Sequence, residues 1–309
     1  VTRSLLLDRP GAVEADPPDT GVAAHYGSIA GEQRALLSGA AVVDLSHRDV
    51  LAISGPDRLT WLHALSTQHL ESLRPGITTH VLLLSPQGRI EHGFSGYDDG
   101  ETFWAHTEPG ASTAMAEFLE RMKFFSRVEL VRVDDRVVIG RVVEGEPVEE
   151  LITRDEHERL DQLAGTWAWE ALRIEAGLPR IGIDTDERTI PNEVGLLGRA
   201  VHLDKGCYRG QETVARVHTL GRPPRRLVRL LLDGSADRLP GHGSAIEHDG
   251  KVVGELGSSA RHHELGPIGL ALVKRSVPVE ATLLVDGVAA AQELVVDPEV
   301  GLHVRPVLR

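Results

Sequence analysis

Residues Asp204–Glu212 read DKGCYRGQE, and the run continues through TVARVHTLGRPPRR to Arg226. Cys207 is the only cysteine in 309 residues. A free cysteine often packs as a small buried hydrophobe. Here Lys205, Gly206, Tyr208, Arg209 and Gly210 make a flexible, polar, cationic stretch in which a side chain is hard to hide. Local sequence therefore supports two readings, a packing residue and a functional thiol. For the second, positive charge from Lys205 and Arg209 favours the thiolate, and the glycines leave room for a partner to approach.

Beyond this run, Arg209, Arg216, Arg222, Arg225, Arg226 and Arg229 fall within about twenty residues. That cluster is the one obvious place for an anionic ligand in a chain of formal net charge −13. The same charge argues against nonspecific binding to nucleic acid or anionic membranes, which clustered Lys and Arg drive. Gly221, Pro223 and Pro224 in the same stretch read as a domain boundary, a common place for a small-molecule site. A length of 309 residues predicts two or three domains. No stretch approaches the ~20 apolar residues of a membrane span, and the three-leucine run near the N-terminus is too short for a signal peptide. A single cysteine allows no intrachain disulfide and fits a reducing, cytoplasmic setting.

Residues 1–30 carry Pro, Gly and Ala without a clear period and read as an extended arm. VVDLSHRDVLAISG alternates as a strand pair, and a helix is predicted from Pro56 with Leu59, Leu62 and Leu65 on one face. HVLLLSPQGRIEHGFSGY predicts strand, turn and strand, with the turn at Ser85–Gly88. Met115, Phe118, Leu119 and Met122 mark a second helix as core. RVELVRV and RVVIGRVV are strand-like, and RDEHERLDQ reads as a solvated charged segment. TWAWEALRIEAG is a third helix stopped by Gly177. From Arg226 onward, short β-rich runs separated by Gly, Pro and Asp predict a small all-β module, a barrel or sandwich. The fold class is α+β, with residues 31–222 as a mixed region and 226–309 as the β module.

Walker A, G-x-S-x-G and H-E-x-x-H signatures are absent. His47, His92, His202, His218 and the adjacent His262 and His263 lack compact ligand spacing, so no metal site is expected.

DKGCYRGQE resembles the signature of the YgfZ family of folate-binding proteins, relatives of the glycine-cleavage T-protein, an aminomethyltransferase. AAVVDLSHRDVLAISGPDRLTWLHALSTQHLESLRPG, LLSPQGRI, LRIEAGLPRIGID, IPNEVGLL and GELGSSARHHELGPIGLALVKR fall in the family's order over roughly residues 34 to 275. The resemblance implies two intertwined α/β subdomains and a C-terminal β-barrel around a tetrahydrofolate cavity. It also implies residue roles. Glu193 matches the carboxylate that holds the pterin, and this ligand role is favoured over a helix-start acid after Pro191. Arg173, Glu175, Gln211, Glu212 and Arg216 are the other folate-contacting positions; Arg173 and Glu175, two apart on a helix, cannot both face one ligand. Cys207, with Lys205 and Tyr208 beside it, is the functional thiol.

One departure separates two branches of the superfamily. Where T-proteins carry an Asp pair that assists aminomethyl transfer, GRIEHG has Glu91 and His92. The resemblance then implies a cytoplasmic, tetrahydrofolate-binding accessory protein whose partners are iron–sulfur enzymes under assembly or repair, including radical tRNA-thiolating enzymes. The alternative is a folate-dependent one-carbon transferase acting on a glycine- or sarcosine-like amine.

Overall fold

The computed structural model describes residues 3–302; residues 1–2 of the expected arm and 303–309 of the expected β module lie outside the described residues. The first part of the chain forms β1 (Val13–Glu14), β2 (Ala23–His25), α1 (Ile29–Leu37), β3 (Val42–Asp44), β4 (Asp49–Ser54), α2 (Arg58–Leu65), β5 (Thr79–Leu84), β6 (Ile90–Asp98) and β7 (Thr102–Thr107). Then come α3 (Ser112–Arg121), β8 (Glu129–Val133), β9 (Arg136–Val143), β10 (Glu146–Thr153), α4 (Arg154–Glu158), β11 (Leu163–Ala164), α5 (Thr166–Glu175) and α6 (Gln211–Leu220). The last part forms β12 (Arg225–Leu232), β13 (Ala245–His248), β14 (Lys251–His262), β15 (Gly266–Lys274), β16 (Leu283–Val285) and β17 (Val288–Leu294).

Three layers follow from three apolar faces. The antiparallel sheet β5-β6-β7-β4-β8 buries Leu51, Ile53, Leu83 and Phe103 against Trp61 and Leu62 of α2 and Met115 and Leu119 of α3. The sheet β10-β9-β3-β11 packs Val43 and Val138 against Leu36 of α1 and Trp169 of α5. Gly140 in β9 leaves room for the indole there, since a Cβ would lie 2.8 Å from the Trp169 ring. β12–β17 close into a six-stranded barrel in the order β12-β15-β14-β13-β16-β17. A fourth cluster joins the layers, with Leu84 and Ile90 of the β5–β6 hairpin, Ile174 of α5, Val214 of α6, and Leu227 and Leu270 of the barrel.

Several sequence expectations are corrected. The N-terminal arm is packed: it contains a helical turn at Leu5–Asp8 and the β1–β2 pair, and it buries Leu6, Ala15, Val22 and Ala24. β3 and β4 belong to different sheets and do not pair, because the chain crosses between layers at Leu45–Arg48. α2 starts at Arg58, two residues after Pro56. In the acidic segment His157 is buried, bonded through Nε2 to Asp44 at 2.8 Å. α6, with Val214 its one buried residue, is not expected from the sequence, which reads there as a polar, cationic run leading into a linker.

Candidate functional site

Strand register builds one wall of a cavity of about 500 Å³ between the two sheets. Ser95 of β6 lies opposite His80 of β5 on one side and His106 of β7 on the other, which sets the three side by side in the wall. His80 Nδ1 and Ser95 Oγ are 2.7 Å apart. The facing wall comes from β10, α5 and the segment after α5, with Glu149, Trp169, Arg173 and Arg180. The volume lies within the ~300–1,000 Å³ usual for small-molecule sites.

The cavity floor is a chain of buried ion pairs. Arg180 is 4% exposed and donates to Asp19 at 2.7 Å, Glu108 at 2.6 Å and Glu170 at 3.3 Å. Arg48 pairs with Glu149 at 2.8 Å and Glu108 at 3.3 Å, and Arg173 pairs with Glu170 at 2.6 Å and Asp184 at 2.9 Å. Burial pushes the Glu108 carboxyl upward, but Arg48 and Arg180 outweigh it and hold the pKa at about 2. Arg199 also lines the cavity; it makes no ion pair within 4 Å among the described residues, and Glu146 and Glu149 act on it at longer range.

Burial lowers both His80 and His106 to about 4, so both rings are neutral at pH 7. The unfolded chain takes up those protons near pH 6.5 and the native state only near 4. The unfolded state therefore binds more protons in that window, and stability falls as pH drops through it. Between pH 7 and pH 5 the loss should be about 2 kcal/mol per ring, at 1.36 kcal/mol per pKa unit. A His80→Gln/His106→Gln variant should lose much less stability over that interval, as measured by urea midpoints. An unchanged pH slope would remove these rings as its cause.

The signature loop lies against the β5–β6 hairpin. Gly210 precedes α6 at φ +80°, and a Cβ there would sit 2.5 Å from Ser85 O and 2.7 Å from Gly88 Cα. Gly88, at φ +78°, meets Thr213 of α6 as closely, 2.8 Å from a built Cβ. Two glycines thus let the Cys207 loop and the Ser85–Gly88 turn touch backbone to backbone. Arg209 adds an ion pair to Glu91 at 3.1 Å.

Within that loop Cys207 is exposed, which removes the packing reading. The positive charge expected beside it is directed elsewhere. Lys205 is buried and its Nζ donates to the carbonyls of His63, Ser66 and Gln68 at 2.5, 2.6 and 3.1 Å. Burial brings its pKa down to about 8, still above neutral, so the ammonium stays charged and ties the loop to the end of α2. The Tyr208 ring lies 5.4 Å from that ammonium, and burial raises its phenol to about 12. Arg209 is held by Glu91.

Of the positions assigned to folate, Arg173 lines the cavity and Glu175 faces away, its carboxylate 3.1 Å from His262 Nε2. Gln211, Glu212 and Arg216 lie on the outer α6 helix, away from the cavity wall. Glu193 is also outside the wall. Its carboxylate accepts from the Ile190 N–H at 3.1 Å and from Arg225 through the backbone N–H, Nε and the terminal nitrogen at 3.1, 3.0 and 2.9 Å. To hold a pterin it would have to release Arg225, so in this geometry it fastens the barrel's first strand. The arginine cluster is likewise dispersed: Arg226 is fully buried against the carbonyls of Lys274, Arg275 and Val277, and Arg229 pairs with Glu293.

Of the carboxylates on the wall, Glu108, Glu149 and Glu150, the half-buried one with an oxygen that no cation occupies is Glu149, which the sequence reading missed because one Glu among several in the edge strand β10 carries no signal of its own. Its second oxygen has only His106 Nδ1, at 3.5 Å. Arg48 Nε, Trp169 Nε1 and His106 Nδ1 are buried without a hydrogen-bond partner in residues that line the same cavity. A reduced folate presents an amino group and ring N–H for such a carboxylate, and carbonyl and ring nitrogen acceptors for such donors. The residues fit that group.

The comparisons agree with this architecture. The glycine-cleavage aminomethyltransferase T of Bartonella henselae superposes with a TM-score of 0.78 at 19% identity, covering 96% of each chain. The chain has the aminomethyltransferase fold. Within it, residues 225–296 match the CAF17 C-terminal beta-barrel domain. The tRNA-modifying protein YgfZ of Cronobacter sakazakii is 27% identical, over 67% of this chain and 75% of that protein. A chloroplastic protein of Arabidopsis thaliana named as a transferase is 25% identical over 77% of this chain, and the alignment spans 66% of that protein. Among the described residues no group of three or more His, Cys, Asp and Glu is placed to hold a metal, and no helix is long and apolar enough to cross a membrane.

Proposed function

We propose that this chain is a tetrahydrofolate-binding accessory protein that assists the assembly or repair of iron–sulfur enzymes, with Cys207 as its transient thiol. The observation that carries the reading is a separation. The cavity offers Glu149, Arg199 and buried unpartnered polar atoms to a folate, while Glu91, which the resemblance sets where transferases carry an aspartate, lies outside the wall and is paired with Arg209. A bound folate would supply a one-carbon carrier. The chain's own part is to hold the pterin edge on Glu149, to meet the ligand's acceptors with Arg48 and Trp169, and to draw its carboxylates toward Arg199. The CAF17-type barrel and the YgfZ-named relative support the accessory role, while relatives named aminomethyltransferase, such as that of Nostoc at 26% identity over 81% of this chain, keep the transferase as the alternative.

Calorimetry with tetrahydrofolate tests the site. Glu149→Gln should weaken binding at least tenfold, ~1.4 kcal/mol, and Glu193→Gln should change it far less. The reverse order would return the pterin to Glu193. Measured aminomethyl transfer that Glu91→Gln abolishes would replace the accessory reading with the transferase.

A further inference from the structure

One end of the loop that carries Cys207 is fastened by a side chain. The Lys205 ammonium sits in a seat of three carbonyls, those of His63 in the last turn of α2 and of Ser66 and Gln68 in the segment that follows. His63 also holds that segment from the other side. Its ring Nδ1 accepts the Leu70 N–H at 3.2 Å, which closes the chain between the end of α2 and Leu70. Leu70 is fully buried in the core between α2, α3 and the five-stranded sheet, so its N–H is out of reach of water and depends on that acceptor.

A ring nitrogen that accepts carries no proton. Neutral His63 therefore keeps its hydrogen on Nε2, and protonation adds the second hydrogen at Nδ1, against the Leu70 N–H. The acceptor is lost, and a buried donor is left unpaired. The same proton places a positive charge beside the Lys205 ammonium. Other cationic or ionisable groups crowd the spot: the His69 ring lies 4.8 Å from the His63 ring, and the His202 ring, three residues before Lys205, lies 5.3 Å from His69. Against Lys205, His69 and His202, one carboxylate, Glu71, acts on His63 in the opposite sense.

Burial first and then the Lys205 ammonium hold the His63 ring below the ordinary histidine value, so it is neutral at pH 7 and the seat is closed. The closed seat binds fewer protons than an open one, in which the ring is free in water, so acid favours opening. At the other end of the loop, the contact of Gly210 with the Ser85–Gly88 turn is backbone to backbone and takes up no proton. We propose that His63 is a proton-sensitive clamp: its protonation opens the Lys205 seat and frees the loop that carries Cys207. The clamp concerns the motion of the loop and does not rest on what the thiol reacts with.

A nitroxide label on Cys207, the only thiol in the chain, reads that motion. Between about pH 7.5 and about pH 5.5 its spectrum should narrow, with a rotational correlation time shorter by about twofold or more, while far-UV ellipticity stays unchanged. In the unlabelled protein, hydrogen exchange at the Leu70 amide, corrected for its intrinsic pH dependence, should lose about tenfold or more of its protection over the same interval. His63→Asn keeps an acceptor near the Nδ1 position and removes the titration, so the label and the Leu70 amide should both stay fixed at the lower pH. Lys205→Met should leave the label mobile at both pH values. A label equally immobile at both, a transition that survives in His63→Asn, a Leu70 amide that keeps its protection, or mobility that appears only with loss of ellipticity would each overturn the proposal.

Discussion

Replacing Arg180 with methionine is expected to destabilise the protein by about 3–5 kcal/mol, the effect of removing one partner from a buried ion pair. Methionine keeps the apolar stem and removes all the donors at once. Asp19, Glu108 and Glu170 then lose the guanidinium they share, at 2.7, 2.6 and 3.3 Å. Burial, now opposed only by Arg48 at Glu108, Arg173 at Glu170 and His47 at Asp19, moves their folded pKa values upward. A carboxyl whose folded pKa exceeds its unfolded value makes the native state bind more protons, so lowering the pH stabilises it relative to the unfolded chain. The deficit of the variant should therefore be larger at pH 8 than at pH 5. Urea unfolding at the two pH values reads both signs. A loss below about 1 kcal/mol, the range of exposed pairs, would mean that the network is not what holds the cavity floor.

Cys207→Ser is expected to abolish support of iron–sulfur enzymes in cells while leaving stability within about 0.5 kcal/mol, as for surface substitutions. The thiol is exposed, so no packing is lost, and serine replaces a soft nucleophile and metal ligand with a hard hydroxyl. Folate binding should be unchanged, because Cys207 is not part of the cavity wall. Iodoacetamide should alkylate the native protein without denaturant. An active serine variant would end the role of the thiol.

The run Asp204–Glu212 indicated the fold through its resemblance to a family signature, and the structure shows what its glycines do. Gly210 needs φ +80° and a backbone contact with the Ser85–Gly88 turn, and both stretches are visible as strings. The barrel was legible for a similar reason, as short β runs broken by turn residues carry their own period. The polar and glycine neighbours of Cys207 left a packing residue and a functional thiol both open, and the structure decided for exposure. The cavity was not legible. His80, Ser95 and His106 meet only through the register of three strands, and Glu149 and Arg180 reach the same space only when two sheets and α5 close on each other. Glu193 looked available in sequence because its partner, Arg225, lies 32 residues away across a domain joint. Local sequence therefore determined the turns and the all-β character of the C-terminal module, where each residue's own conformation or neighbours decide the outcome. Which charged groups are paired and which stay free for a ligand was decided by tertiary structure, because ion pairs form between elements that only packing brings within 4 Å.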